Sequence, residues 1–286
     1  MASGVERKTT GTVGLRASAL VLTVALSSST ARAQDAATAP PTTAPFSRDC
    51  QVSNATIFNE RPLPNVATAL QKRKTIKILT IGASATAGRR GRRSGYTEQI
   101  EQILEKAIKG LDVVIINRGV SGELAADAAV RIKNDVALNQ PDLVLWQVGT
   151  NDALAFVAID QLHETITETI KWLKAHNVDV VLAGLQFVSQ LQQDDNYRAV
   201  RELIRKVGVD ENVVVVRRRE AIQLLANPEV GSGGLFPAEF AQTDTGYACL
   251  AEYVARAITL GAFGRGLHPL PGQSQTPQSP QNQHPR

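Results

Sequence analysis

The sequence predicts a three-layer α/β/α domain built on a five-stranded parallel sheet. Two observations carry this. Five short β-rich runs recur along the chain with a helical pattern between each pair, and most runs are near-continuously apolar rather than alternating. Alternation of strand and helix is the mark of a doubly wound sheet, and strands without polar positions fit burial on both faces. The runs are IKILTI at 76–81, VVIIN at 113–117, LVLWQV at 143–148, VDVVLAGL at 178–185 and VVVV at 213–216. Helical patterns occupy 97–109, 123–138, 159–176 and 196–207, and a last one at 245–260 closes the domain. In such a sheet, ligands gather beyond the carboxyl ends of the strands.

Flanking segments read differently. Arg7, Lys8 and Arg16 precede an apolar stretch at 17–26, and Ala31-Arg32-Ala33 supplies small residues for cleavage before Gln34. Residues 1–33 are therefore expected to be a signal peptide. About ten apolar residues are too few to span a bilayer, which needs ~20, so no transmembrane segment is expected. The expected product is exported, to the periplasm or the medium. Residues 34–49, rich in Ala, Thr and Pro, read as a flexible linker, and 265–286 as a disordered Pro/Gln-rich tail, leaving the domain at 50–264.

Charge follows the same division. The formal net charge is +4, but the leader holds four basic residues against one acidic, leaving 27 against 26 in the remainder. Nucleic-acid binding thereby loses its electrostatic support. The two cysteines, Cys50 and Cys249, favour a disulfide in an oxidising compartment, with two buried free thiols as the alternative. Without clustered His they make no closed zinc site, so no metal is expected.

Three successive strand exits carry compatible chemistry. Gly82-Ala83-Ser84-Ala85-Thr86-Ala87-Gly88 follows the first strand, where small residues let a tight turn present the Ser84 hydroxyl. Asn117-Arg118-Gly119-Val120-Ser121-Gly122-Glu123 follows the second, with glycines able to aim a backbone N–H. Gly149-Thr150-Asn151-Asp152 follows the third and offers an amide and a carboxylate, although Asn-Asp after a strand is more often a helix cap. A hydroxyl, a glycine N–H and an Asn amide converging at one edge suit a nucleophile with an oxyanion hole. No G-x-x-x-x-G-K-[ST] or G-x-G-x-x-G loop is present, and the nucleophile-elbow pattern fails because Thr86 holds its last glycine position.

These blocks resemble the GDSL/SGNH hydrolases. Ile81-Gly82-Ala83-Ser84, Asn117-Arg118-Gly119-Val120-Ser121-Gly122 and Gly149-Thr150-Asn151-Asp152 match the family's first three blocks in order and spacing, over roughly 75–262. Gly246-Tyr247-Ala248-Cys249-Leu250-Ala251 is similar to the terminal helix of exported bacterial members that also carry a leader and an early Cys. The resemblance implies a flavodoxin-like sheet of order 2-1-3-4-5 and an ester hydrolase working through an acyl-serine. Ser84 is then the nucleophile, and the N–H groups of Ser84 and Gly122 with the Asn151 amide form the oxyanion hole, with no cofactor. The implied substrates are small-molecule or glycan esters.

Two departures stand out. Ala83 replaces the Asp that many members carry, which leaves the serine in place. The Asp-x-x-His expected before the terminal helix is Ala238-Glu239-Phe240-Ala241, so the serine's usual base is missing and no replacement is assigned. His163 and His176 read as ordinary helix residues, His268 and His284 fall in the tail, and Asp244 reads as a helix cap. Glu239 is a weak base at best. The second expectation is therefore a non-catalytic member that binds an acylated or carbohydrate ligand. A flavin or nucleotide binder is disfavoured by export and by the missing phosphate loop. Arg89, Arg90, Arg92 and Arg93 read as a solvated loop, and Arg217-Arg218-Arg219 as a helix start or surface feature.

Overall fold

The structure, a computed structural model, describes residues 47–83, 86, 96–226 and 237–264. The expected leader at 1–33, most of the expected linker and the tail at 265–286 lie outside the described residues, as do Ser84, Arg89, Arg90, Arg92, Arg93, His268 and His284. Five strands form one sheet: β1 (Thr75–Ile81), β2 (Asp112–Asn117), β3 (Leu143–Gln147), β4 (Asp179–Ala183) and β5 (Val214–Val216). Every pairing is parallel, as the strand–helix alternation predicted, and the order is β2-β1-β3-β4-β5, as the resemblance implied.

The apolar runs explain the layers. Along β1, Ile76 and Ile78 face one side while Leu79 and Ile81 contribute to the core of the other. On the first side, Leu143, Leu145, Val181, Ala183, Val214 and Val216 join them under three helices. These are α2 (Pro64–Lys72), α3 (Tyr96–Ala107) and the long α10 (Asp244–Phe263). On the second side, Val144, Trp146, Val180 and Leu182 meet α4 (Ala125–Asn139), α6 (Ile159–Ala175) and α7 (Asp195–Asp210). Burying a large apolar side chain this way contributes about 1.5–3 kcal/mol, which is why both faces of the central strands carry no polar alternation. Short helices complete the fold: α1 (Asn54–Ile57), α5 (Thr150–Leu154), α8 (Arg218–Leu225) and α9 (Pro237–Phe240).

The N-terminal segment is fastened at three places. Cys50 and Cys249 form a disulfide, both residues being buried. Tyr253 Oη donates to the Cys50 carbonyl at 3.0 Å. Further on, Asn59 lies along β5: its amide donates to Val213 O at 2.9 Å and its Oδ1 accepts from Val215 N at 2.6 Å. Phe58 bridges Val216 in the antiparallel sense, and Arg217 N–H donates to Ile57 O at 2.5 Å.

At the amino-terminal end of the strands, Asp179 at the start of β4 caps α2. Its carboxylate accepts from Asn65 N and Val66 N, both at 2.9 Å, and from the Asn65 amide at 2.8 Å. Burial outweighs these donors and pushes the carboxyl up to about 6. An unfolded Asp titrates near 4, so between about pH 4 and pH 6 the folded state holds more protons than the unfolded one. Stability from this group therefore falls as pH rises through that window, by up to about 3 kcal/mol. Urea unfolding of the wild type and Asp179→Asn at pH 4.5 and pH 7 checks the sign. Only the wild type should carry this loss on going to pH 7.

Candidate active site

The exits of β1, β2 and β3 meet in one depression, lined among others by Gly82, Ala83, Glu123, Gln147, Gly149, Asn151 and Asp152. Each exit is shaped by a local constraint. Gly82 sits at φ +153°, and a Cβ there would lie 2.6 Å from Gln147 Cβ and 2.8 Å from Thr86 Oγ1. Only glycine lets the end of β1 lie this close to β3. Beyond it, Thr86 N–H donates to Ala83 O at 3.0 Å, and the buried Thr86 hydroxyl lies between Tyr96 Oη (3.2 Å) and Gln147 Oε1 (3.3 Å). Ser84 itself is outside the described residues.

The β2 exit is strapped to the β1 exit. Val120 N–H donates to Gly82 O at 2.8 Å. The Asn117 amide donates to Thr86 O at 2.7 Å, while its Oδ1 accepts from Gly119 N at 3.0 Å. Glu123 is held bidentately by Arg131 at 2.5 and 2.9 Å, and Arg131 also donates to Arg118 O at 2.7 Å. That pairing raises the Arg131 pKa. Between these anchors Gly122 adopts φ +80°, and its N–H meets no acceptor among the described residues.

At the β3 exit, Gly149 has φ +100° and is packed so tightly that a Cβ would come within 2.4 Å of Ile204 Cδ1. Asn151 Nδ2 donates to Glu123 O at 2.8 Å, tying the third exit to the second. Asp152 is buried and serves as a brace. One oxygen accepts from Ala125 N at 2.8 Å, at the start of α4, and the other from Gly149 N at 3.2 Å. Burial pushes its carboxyl up against the pull of these donors. The capping expectation for this turn thus holds, with an added tie to α4. Asp152→Ala would leave two buried N–H groups unpaired and should cost about 2–4 kcal/mol in urea unfolding.

The segment expected to hold the base lies just ahead of α10. Ala238 is in α9 and Ala241 follows it, its N–H bonded to Pro237 O at 3.0 Å. Ala241 lines a second, narrow cavity with Phe187, Arg218, Ile222, Gly246, Tyr247, Leu250 and Tyr253. Gly246 is needed here because a Cβ would lie 2.2 Å from Phe240 O. Two expectations are corrected in this region. The cap of α10 is Thr243, whose Oγ1 accepts from Gly246 N at 3.0 Å, and Asp244 is the first helical residue. Arg217-Arg218-Arg219 does start a helix, but Arg218 and Arg219 are buried at 6% and 8% exposure, because Arg218 lines this cavity with Phe187 and Tyr247 and Arg219 lies over the Phe187 ring.

Neither helix histidine lines the depression. His176 caps the C-terminus of α6, stacked on Trp172 with its Nδ1 2.7 Å from Trp172 O. Since α6 returns from the exit edge of β3 to the start of β4, His176 lies at the edge of the sheet opposite the depression. His163 sits in the first turns of the same helix, half-buried. Among the described residues no three His, Cys, Asp or Glu side chains gather in a way that could hold a metal ion.

Comparison with known proteins places this architecture. The Non-GDSL lipase-like family model matches residues 49–263. Esterase TesA of Pseudomonas aeruginosa is 29% identical over 86 residues, 29% of this chain and 43% of that protein. An arylesterase of Vibrio mimicus is 29% identical over 116 residues, 38% of this chain and 54% of that protein. The matched segments thus span about half the length of these two relatives. Among solved structures, an acetylxylan esterase of Geobacillus stearothermophilus, in a catalytic mutant, superposes with a TM-score of 0.55 at 21% identity. It covers 64% of this chain and 94% of that one, and supports the fold. The first block, Gly82-Ala83-Ser84-Ala85, lacks the Asp and Leu of G-D-S-L, in keeping with the matching model's description. The chain belongs to the Non-GDSL lipase-like family, within the SGNH hydrolases.

Proposed function

We propose that this protein is an exported serine ester hydrolase acting on small acyl esters, acetylated glycans among them. Ser84 is the nucleophile, and the N–H groups of Ser84 and Gly122 with the Asn151 amide receive the carbonyl oxygen. One observation carries the reading: three strand exits line one depression in which Asn151 is pinned to Glu123 O, and the N–H of Gly122 next to it meets no acceptor among the described residues. Donors fixed before the substrate arrives are what stabilise a developing oxyanion. In this reading the Ser84 oxygen attacks the ester carbon, the alcohol leaves with a proton, and water then releases the acid from the acyl-serine. The relatives being named esterase, arylesterase and acetylxylan esterase supports ester chemistry. The leader at 1–33 and the disulfide support an oxidising destination. No helix among the described residues is long and apolar enough to cross a membrane.

Ala238 and Ala241 favour a second reading, a pocket that binds an acyl ester without turning it over. Hydrolysis of p-nitrophenyl acetate by the mature chain, beside Ser84→Ala, separates the two. A rate that falls at least ~100-fold in Ser84→Ala supports the hydrolase. Equal rates in both proteins leave the binding reading.

A further inference from the structure

The cavity under Ala241 holds a charge that the proposed ester chemistry does not use. Arg218 lines it, is 6% exposed, and its Nη1 finds no hydrogen-bond partner among the described residues. No carboxylate pairs with it among the described residues. Burial pushes the guanidinium pKa down, and the groups that bear on its charge are the phenols of Tyr96, Tyr247 and Tyr197. Neighbouring charges are engaged elsewhere. Arg219 donates to Gln192 Oε1 and lies 5.8 Å over the Phe187 ring, and Glu220 stands 3.8 Å from Arg201.

A guanidinium taken out of water without a counter-ion is costly, and the cost is recovered when an anion completes its fork of donors. The rest of the lining decides which anion. Phe187, Ile222, Leu250 and Ala241 are apolar, Arg218 is the one formally charged lining residue, and the space is narrow. A single positive charge in an apolar slot suits a monoanion with two coplanar oxygens and a small hydrocarbon body. We infer that this cavity, whose free space is that of about one water, widens to bind a small organic carboxylate held by Arg218 beside the small side chain of Ala241. The inference concerns binding alone and invokes no turnover at the β1–β3 exits.

Thermal unfolding and calorimetric titration of the full chain with sodium acetate test it, at ionic strength held constant with sodium chloride. Acetamide serves as the neutral control and inorganic phosphate as the alternative anion. Acetate should raise Tm saturably by a few degrees, and acetamide should not. Arg218→Met should weaken acetate binding at least ~10-fold. Should Arg218→Met fail to fold, Ala241→Leu fills the slot while leaving the arginine in place, and it should weaken acetate binding equally. The site is overturned if acetate acts no better than acetamide, or if both variants bind it as the wild type does. Stabilisation by phosphate without any by acetate overturns the carboxylate assignment. All readouts are free of turnover, so an inactive Ser84 does not affect them.

Discussion

Ala238→Asp combined with Ala241→His is expected to raise kcat on p-nitrophenyl acetate by about 10²–10⁴-fold over the parent chain, the range that a positioned general base supplies. The two positions are three residues apart on α9 and its C-terminal extension, so their side chains share a face. The segment is held by Gly246 packed on Phe240 O and by the Thr243 cap, so new side chains meet a fixed backbone. Ala241 shares its cavity with Arg218, and a nearby positive charge favours the neutral imidazole, the form that takes a proton. The acid limb of the pH–rate profile should therefore move to higher pH when Arg218→Met is added to the double variant. A folded double variant with the parental kcat would mean that this segment does not reach the serine.

Replacing both cysteines, Cys50→Ser with Cys249→Ser, is the largest stability change expected. The bridge closes a loop of 199 residues, and chain entropy sets its contribution at up to about 5 kcal/mol. For a domain of this size that is of order 10–20 °C in Tm. The loss should reach beyond the bridge, because Ser47 N–H bonds Glu252 and Tyr253 bonds the Cys50 carbonyl, and both contacts rely on the segment being tethered. Scanning calorimetry of the wild type with and without dithiothreitol gives the first comparison, and the double variant should match the reduced protein. A shift below ~3 °C in both would show that packing of Cys50 and Cys249 against the core suffices without the covalent bond.

The sheet was legible because its strands are unmixed apolar runs. Four of the five expected strands end within a residue of the observed ends; the fourth, expected to reach Leu185, stops at Ala183, although Gly184 N–H still donates to Val216 O at 2.9 Å. Helix starts were less legible. The helix expected from Glu123 begins at Ala125, because Glu123 is drawn off by Arg131, a pairing that spacing alone does not announce. Pro64 at the first turn of α2 was a readable start signal that the strand–helix alternation overshadowed. At the site, Gly82, Gly122, Gly149 and Asn151 were readable from block order. The bracing by Asp152 was not, since its partner Ala125 lies 27 residues away. The burial of Arg218 was hidden for a different reason: a run of three arginines looks like surface until the fold supplies the tyrosines around it.

Asn59 has a consequence for self-association. Its amide occupies both Val213 O and Val215 N, and Phe58 and Ile57 take up the rest of that flank, so no incoming strand finds free donors or acceptors beside β5. The sheet therefore has one blind side and one side, along Asp112–Asn117, where among the described residues only Val113 N–H, bonded to Glu105 Oε1 at 3.0 Å, is already taken and another chain could add at the remaining rungs. A particle with a single adhesive edge can pair about a two-fold axis, but it cannot hand the ladder on to a third copy. Stacking of native molecules through their backbones would stop at two, and a fibre would first require the Asn59 segment to come away.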